Sequence, residues 1–224
     1  MKQRKGTCRR QEEHKIISHM SIRETNNPYR MSFTTGGLFL RESVKLAEMF
    51  LQLADWNAVQ EKVTAENLLQ TRTLTTSKRV SREIISRIKT LYPDELDLLI
   101  HGTVQEQGYL LWISICRYYQ FVADFAVEII RERYLGMNID LHYEDFNSFF
   151  HKKSESHPEL DKIKPATRNK LRQVLFKILR EAELLTGDNT INSAMLTPRL
   201  LEAISQNSRR DILFFPTPES TLEG

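Results

Sequence analysis

The stretch KPATRNKLRQVLFKILREAELL, residues 164–185, decides how the rest of the chain reads. Its apolar residues fall at Leu171, Val174, Leu175, Ile178, Leu179, Ala182 and Leu185. That three-and-four spacing predicts a helix with one buried face. At roughly 100° per residue, Lys170, Gln173, Lys177 and Arg180 line the other side. Pro165 suits the first helical position, where its fixed φ and missing N–H cost nothing, and Thr167 is the expected N-cap. The helix pairs a core face with a basic outer stripe. Taken alone, such a stripe reads first as a solvated face.

Working outward, glycine and proline are scarce among the 224 residues and charged residues are frequent, which favours helix over sheet. The expected fold is mainly α: two small helical domains with helix-turn-helix or winged-helix character and at most a short β-hairpin. The formal net charge of +3 hides a strong segregation. Residues 1–28 carry seven Lys or Arg against three acids and read as a basic, disordered tail, with Met20 as an alternative start. Residues 72–89 hold six cations and one acid, and residues 151–180 nine cations and three acids. Between them, residues 92–150 hold three cations and ten acids. Affinity for nucleic acid must therefore come from local patches.

In chain order, Gly36-Gly37 makes a turn. Leu38 opens a helix to about Ala54, with Leu40, Val44, Ala47, Phe50, Leu51 and Ala54 as its buried face. Asp55 caps a second helix from Trp56 towards Leu69. The segment TRTLTTSKRVSREIISRIKTL, 71–91, repeats the opening design, with Thr75, Thr76 and Ser77 as cap candidates. Val80, Ile84, Ile88 and Leu91 form its core face; Lys78, Arg82 and Lys89 lie opposite, flanked by Arg79. A helix, a hydroxyl-rich turn and a helix with cations near its N-terminus is the arrangement a helix-turn-helix uses to reach phosphates and base edges. Pro93 starts a short helix ending at Gly102. Glu106 to about Leu135 reads as one long, nearly all-apolar helix, the centre of an N-terminal domain spanning 29–136. After a linker at 136–138 with Gly136 as C-cap, a winged-helix-like domain spans 139–216 and a tail 217–224. It contains a helix at 143–150, the basic helix and a last helix at 198–206. DILFF, 211–215, is a candidate edge strand with residues 190–196 as its partner in a small wing.

Chemistry is hard to place in this chain. Gly36-Gly37 lacks the further Gly and the Lys of a phosphate loop, and there is no HExxH, CxxC or nucleophile elbow. His142, Glu144, Asp145, His151 and His157 cluster in sequence, but at spacings that match no metal-ligand set. Asp94, Glu95 and Asp97 read as an exposed helix start. The expectation is a non-enzyme with no cofactor and no metal. Cys8 and Cys116 are the only cysteines, which fits a reducing cytoplasm. Arg117, Asp124 and Glu128 interrupt the most lipophilic segment, 109–130, and argue against a membrane span.

Five blocks carry a resemblance: TGGLFLRES (35–43), TSKRVSREIISRI (76–88), ISICRYYQFVADFAVEIIRERY (113–134), HPEL (157–160) and TRNKLRQVLFKILREAELL (167–185). In this order they resemble the BrxA family, small accessory proteins of the BREX bacteriophage-exclusion systems. The resemblance covers about residues 29–216. It implies a two-domain, mainly helical protein with helix-turn-helix character that binds DNA, and the basic faces make a sequence-tolerant binder of double-stranded DNA the first hypothesis. It also implies neighbours in the system: a DNA methyltransferase, an ATPase, a phosphatase-like protein and a Lon-like protease. The family supplies no contact map, so the candidate contacts come from the helical wheels: Arg72, Lys78, Arg79, Arg82 and Lys89 on one patch, and Lys164, Arg168, Lys170, Lys177 and Arg180 on the other. An adaptor that docks acidic surfaces of BREX components and an RNA-binding helical protein are the alternatives.

Overall fold

The structure, a computed structural model, describes residues 28–222. The basic arm up to Asn27, with Met20 and Cys8, lies outside the described residues. The described chain is mainly α. Its helices are α1 (Leu40–Leu53), α2 (Trp56–Ala65), α3 (Leu74–Ile88), α4 (Pro93–His101), α5 (Val104–Tyr118), α6 (Gln120–Phe125), α7 (Glu132–Leu135), α8 (Tyr143–Ser154), α9 (Pro165–Glu181) and α10 (Pro198–Ser208). A π-helical segment, Ala126–Arg131, joins α6 to α7, and a 3-10 turn, Arg209–Phe214, follows α10.

Helix α9 buries Leu171, Val174, Leu175, Ile178 and Leu179 as its spacing predicts, together with Phe176. Its start differs from expectation. Lys164 is the cap residue and Pro165 is the first helical residue, so Thr167 lies inside the helix and caps nothing. At the other end Glu183 takes a left-handed φ of 58°. Leu184 N–H then bonds Leu179 O at 2.9 Å and Glu183 N–H bonds Arg180 O at 3.0 Å, closing a Schellman motif without glycine.

The long central helix is not continuous. α5 is buried at every residue from Gly108 to Cys116, but Tyr119 breaks the run with φ −122° and ψ 93°. Its ring is fully buried, edge-on to Phe33 at 5.3 Å, and its hydroxyl bonds Glu83 of α3. These long-range contacts outweigh continuing the helix. α1 begins at Leu40 because Phe39 is left-handed, and it buries Ser43, Leu46, Ala47 and Met49. The expected face was therefore rotated: Leu51 is 57 % exposed. α2 stops at Ala65, and Asp55 caps it through Asn57 N–H and Ala58 N–H. Thr73, rather than Thr75, Thr76 or Ser77, caps α3 by accepting from Thr76 N–H at 3.2 Å.

DILFF does not form an edge strand. Asp211 to Phe214 belong to the 3-10 turn, and residues 190–191 make only isolated bridges, Asp140 with Thr190 and Leu185 with Ile191. The reason lies in the core. Trp112 Nε1–H donates to Phe214 O at 2.9 Å, Arg131 Nη1 donates to Phe215 O and Thr217 O at 3.3 Å, and Ile212 and Phe215 are buried. A segment gripped at successive carbonyls by side chains cannot offer them to a strand partner.

Buried ion clusters tie distant segments together. The Glu106 carboxylate is buried and accepts from Thr103 N–H at 2.8 Å, Thr197 Oγ1 at 2.5 Å and Arg199 Nε at 2.6 Å. Arg199, ahead of the hydroxyl and amide donors, holds its pKa well below the carboxylate range despite burial. A carboxyl depressed by folding supplies stability that is whole above its unfolded pKa, about 4.3, and is lost as pH falls through the folded value. Between about pH 7 and about pH 3.5, the urea midpoint of Glu106→Gln should therefore fall less than that of the parent. Equal losses would show that Glu106 is not a source of the acid sensitivity.

Candidate nucleic-acid interface

The cations of this chain divide into those that folding consumes and those it leaves. Arg87 is buried; its Nε donates to Glu83 Oε1 at 2.8 Å and its Nη1 to Gly37 O at 2.8 Å. Arg117 is held by Glu95 and Asp211, Arg133 by Asp145, and Lys153 by Glu128 at 2.5 Å. By contrast Lys78, Arg79 and Arg82 on α3, with Lys89 at its C-cap and Arg72 in the turn before it, are exposed. None of them joins an ion pair among the described residues. Helical rotation puts Arg87 opposite the Lys78–Arg82–Lys89 stripe. So α3 turns its paired arginine inward and its free cations out. The charge count of the segment treats six cations alike; helical rotation and burial separate Arg87 from the rest.

The second patch differs. Lys164, Lys170 and Lys177 on α9 are exposed, and Arg168 and Arg180 are half-buried. The Arg168 guanidinium lies over the Phe150 ring at 5.5 Å, and Arg180 Nη2 donates to Asn189 Oδ1 at 2.5 Å. Lys177 Nζ is 3.5 Å from Glu181 Oε1. The other oxygen of Glu181 accepts from Leu38 N–H at 2.6 Å, which brings the Gly36-Gly37 turn onto the cationic face of α9. Gly36 is required there, and a side chain at Gly37 would displace the Glu181 carboxylate. A Cβ on Gly36, whose φ is +74°, would sit 1.7 Å from the Phe39 ring, and one on Gly37 would sit 2.2 Å from Glu181 Oε2.

The result is a hollow of about 510 Å³. Lys170, Gln173, Val174, Lys177 and Arg180 make its α9 wall. Gly36 and Tyr143 make the other. Arg172, which the helical wheel left out, lies 4.8 Å over the Tyr143 ring and donates to Asn147 Oδ1 at 3.2 Å. The Nε atoms of Arg168, Arg172 and Arg180 are buried without a protein partner. No local signal could have shown that Gly36 and Tyr143 face this helix, since both are distant from it in sequence. Of the cluster His142 to His157, Asp145 serves its own helix start, accepting from His142 N–H at 2.7 Å, and His157 stacks on Tyr29 at 3.9 Å between ring centroids.

A model of the BrxA family matches residues 27–208. The chain belongs to the BrxA family. Three curated BrxA relatives are BREX proteins. That of Escherichia coli O9:H4 (strain HS) is 26 % identical over 191 residues, 84 % of this chain and 87 % of the relative. That of Bacillus cereus (strain H3081.97) is 27 % identical over 149 residues, 65 % of this chain and 74 % of the relative. That of Paramagnetospirillum magneticum is 21 % identical over 187 residues, 83 % and 94 %. A crystal structure of an uncharacterized protein from Magnetospirillum magneticum shares the fold, with a TM-score of 0.73, 19 % identity, and coverage of 85 % of this chain and 98 % of that one. Among the described residues of this BrxA-family chain, no helix is long and apolar enough to cross a membrane.

Proposed function

We propose that this chain is a non-catalytic, double-stranded-DNA-binding component of a BREX phage-defence system, acting in the cytoplasm. The observation that carries the reading is the set of exposed cations at α3 that join no ion pair among the described residues, in a chain that spends Arg87, Arg117, Arg133 and Lys153 on internal pairs. A row of free Lys and Arg on a convex helix releases condensed counterions from a duplex and holds it without regard to sequence. In this reading α2, the turn at 66–73 and α3 act as the helix-turn-helix. Thr75, Lys78 and Arg79 lie at the end of α3 that would enter the groove. The chain divides near residues 136–138, with α3 in the first unit and α9 in the second.

The adaptor reading draws less support. Of the acids in 92–150, Glu95, Glu106, Asp124, Glu128 and Asp145 are engaged in internal ion pairs with Lys or Arg, so about half of the acidic charge of this region is not open to a partner. Binding of a fluorescent duplex of arbitrary sequence across a salt series tests the proposal. The expected result is a log–log slope of several units, at about 0.9 per neutralised phosphate. A parent protein that binds no duplex at low salt would overturn it, and tighter binding of a matched RNA duplex would favour an RNA role.

A further inference from the structure

We propose that the hollow beside α9 is a seat for a terminal phosphate dianion, such as that of pyrophosphate, a free nucleotide or a DNA 5′ end, rather than for an internal phosphodiester. The inference rests on reading the α9 stripe as a phosphate-binding face, and assigns that stripe its own form of phosphate.

Shape is the first ground. The hollow, about 510 Å³, is an open depression roomy enough for a phosphate group and its donors. A duplex groove receives a convex element such as α3, not a cavity. Charge is the second. Lys170, Lys177 and Arg180 line the hollow, and Glu181 is the acid paired with one of them. Glu181 is also tied to the wall by Leu38 N–H, so it offsets one cation without filling the space. Three cations against one carboxylate leave an excess of two. A terminal phosphate carries about −1.5 to −2 at pH 7, whereas a backbone diester carries a single charge.

Donor geometry is the third ground. Arg180 lines the hollow and is anchored through Nη2 to Asn189 Oδ1 at 2.5 Å. A guanidinium fixed at one corner presents its remaining donors as a pre-set fork, the arrangement that suits phosphate oxygens. Gln173 adds an amide and Lys170 an ammonium with no ion-pair partner among the described residues. Beside these donors, the exposed Tyr143 ring offers an apolar surface for a sugar or base. The Tyr143 ring is held by Arg172 on its face and by Phe176 edge-on at 4.7 Å.

The test is calorimetric titration of the full chain with inorganic pyrophosphate, followed by competition. Pyrophosphate should bind the parent, and about tenfold more weakly bind Arg180→Lys, which keeps the charge and the fold but loses the fork. The pair Lys170→Ala/Lys177→Ala should lose at least as much. A chain lacking the α3 cations through Lys78→Ala, Arg82→Ala and Lys89→Ala should still take pyrophosphate. No binding by the parent, or binding that the α3 changes abolish and the α9 changes spare, would overturn the proposal. Displacement of pyrophosphate by a 5′-phosphorylated duplex but not by its 5′-hydroxyl twin would support a DNA end as the source. Displacement by a nucleoside triphosphate and by neither duplex would support a free nucleotide. Equal displacement by both duplexes would mean that internal diesters occupy the hollow, and would overturn the preference for a dianion. Duplex binding without pyrophosphate binding removes the seat and leaves the duplex reading standing; pyrophosphate binding without duplex binding does the reverse.

Discussion

Replacing Lys78, Arg82 and Lys89 together by Ala should lower the salt slope of duplex binding by about 2.7, one phosphate per cation lost. At low salt the affinity should fall by roughly a hundredfold, uniformly across sequences, because phosphate contacts carry no sequence information. The melting temperature should hardly move, since all three side chains are exposed and unpaired. The matching change on α9, Lys170, Lys177 and Arg180 to Ala, should flatten the slope less. There Arg180 is partly spent on Asn189, Lys177 on Glu181, and the face is concave. Fluorescence anisotropy against salt for both triple variants decides the ranking. An unchanged slope in the α3 variant would remove that helix from the DNA surface.

Arg117→Ala should unfold the protein more readily than any surface change. The Arg117 guanidinium donates to both oxygens of Glu95 at 2.5 and 2.7 Å, to Asp211 Oδ2 at 2.7 Å and to Thr90 O at 2.9 Å. Its partners' side chains are 0 % and 8 % exposed. Truncation strands two carboxylates away from water with no counter-charge, a loss of about 3–5 kcal/mol. The cluster also joins α4 and α5 to the C-terminal 3-10 turn, so cleavage near residues 209–217 by a limiting protease should accelerate in the variant. Urea unfolding measures the first effect. A loss under about 1 kcal/mol would mean that water reaches the stranded acids and that the cluster behaves as a surface pair.

Arg117 also shows where sequence reading reaches its limit. A charge in an otherwise apolar helix is visible in the string, and the segment around it packs inside the fold. Its partners are not visible, because Glu95 and Asp211 lie on either side of it by 22 and 94 residues. The same holds for Arg87. Its place on the core side of α3, opposite Lys78, Arg82 and Lys89, follows from the helical wheel, but its partner Gly37 O, fifty residues away, does not.

What the sequence determined by itself follows from local periodicity. A residue's angular place on a helix depends only on its neighbours at three and four positions. That was enough to set α3 and α9 as amphipathic helices, the cap at Asp55, the stop at Gly136 and the segregation of charge. Tertiary structure decided everything that depends on partners far along the chain. Tyr119 breaks the central helix to reach Glu83, DILFF becomes a 3-10 turn because Trp112 and Arg131 claim its neighbouring carbonyls, and Glu181 draws the Gly36-Gly37 turn over α9. Each is a buried polar group finding the one partner that offsets its desolvation, and no window along the sequence contains both ends of such a pair.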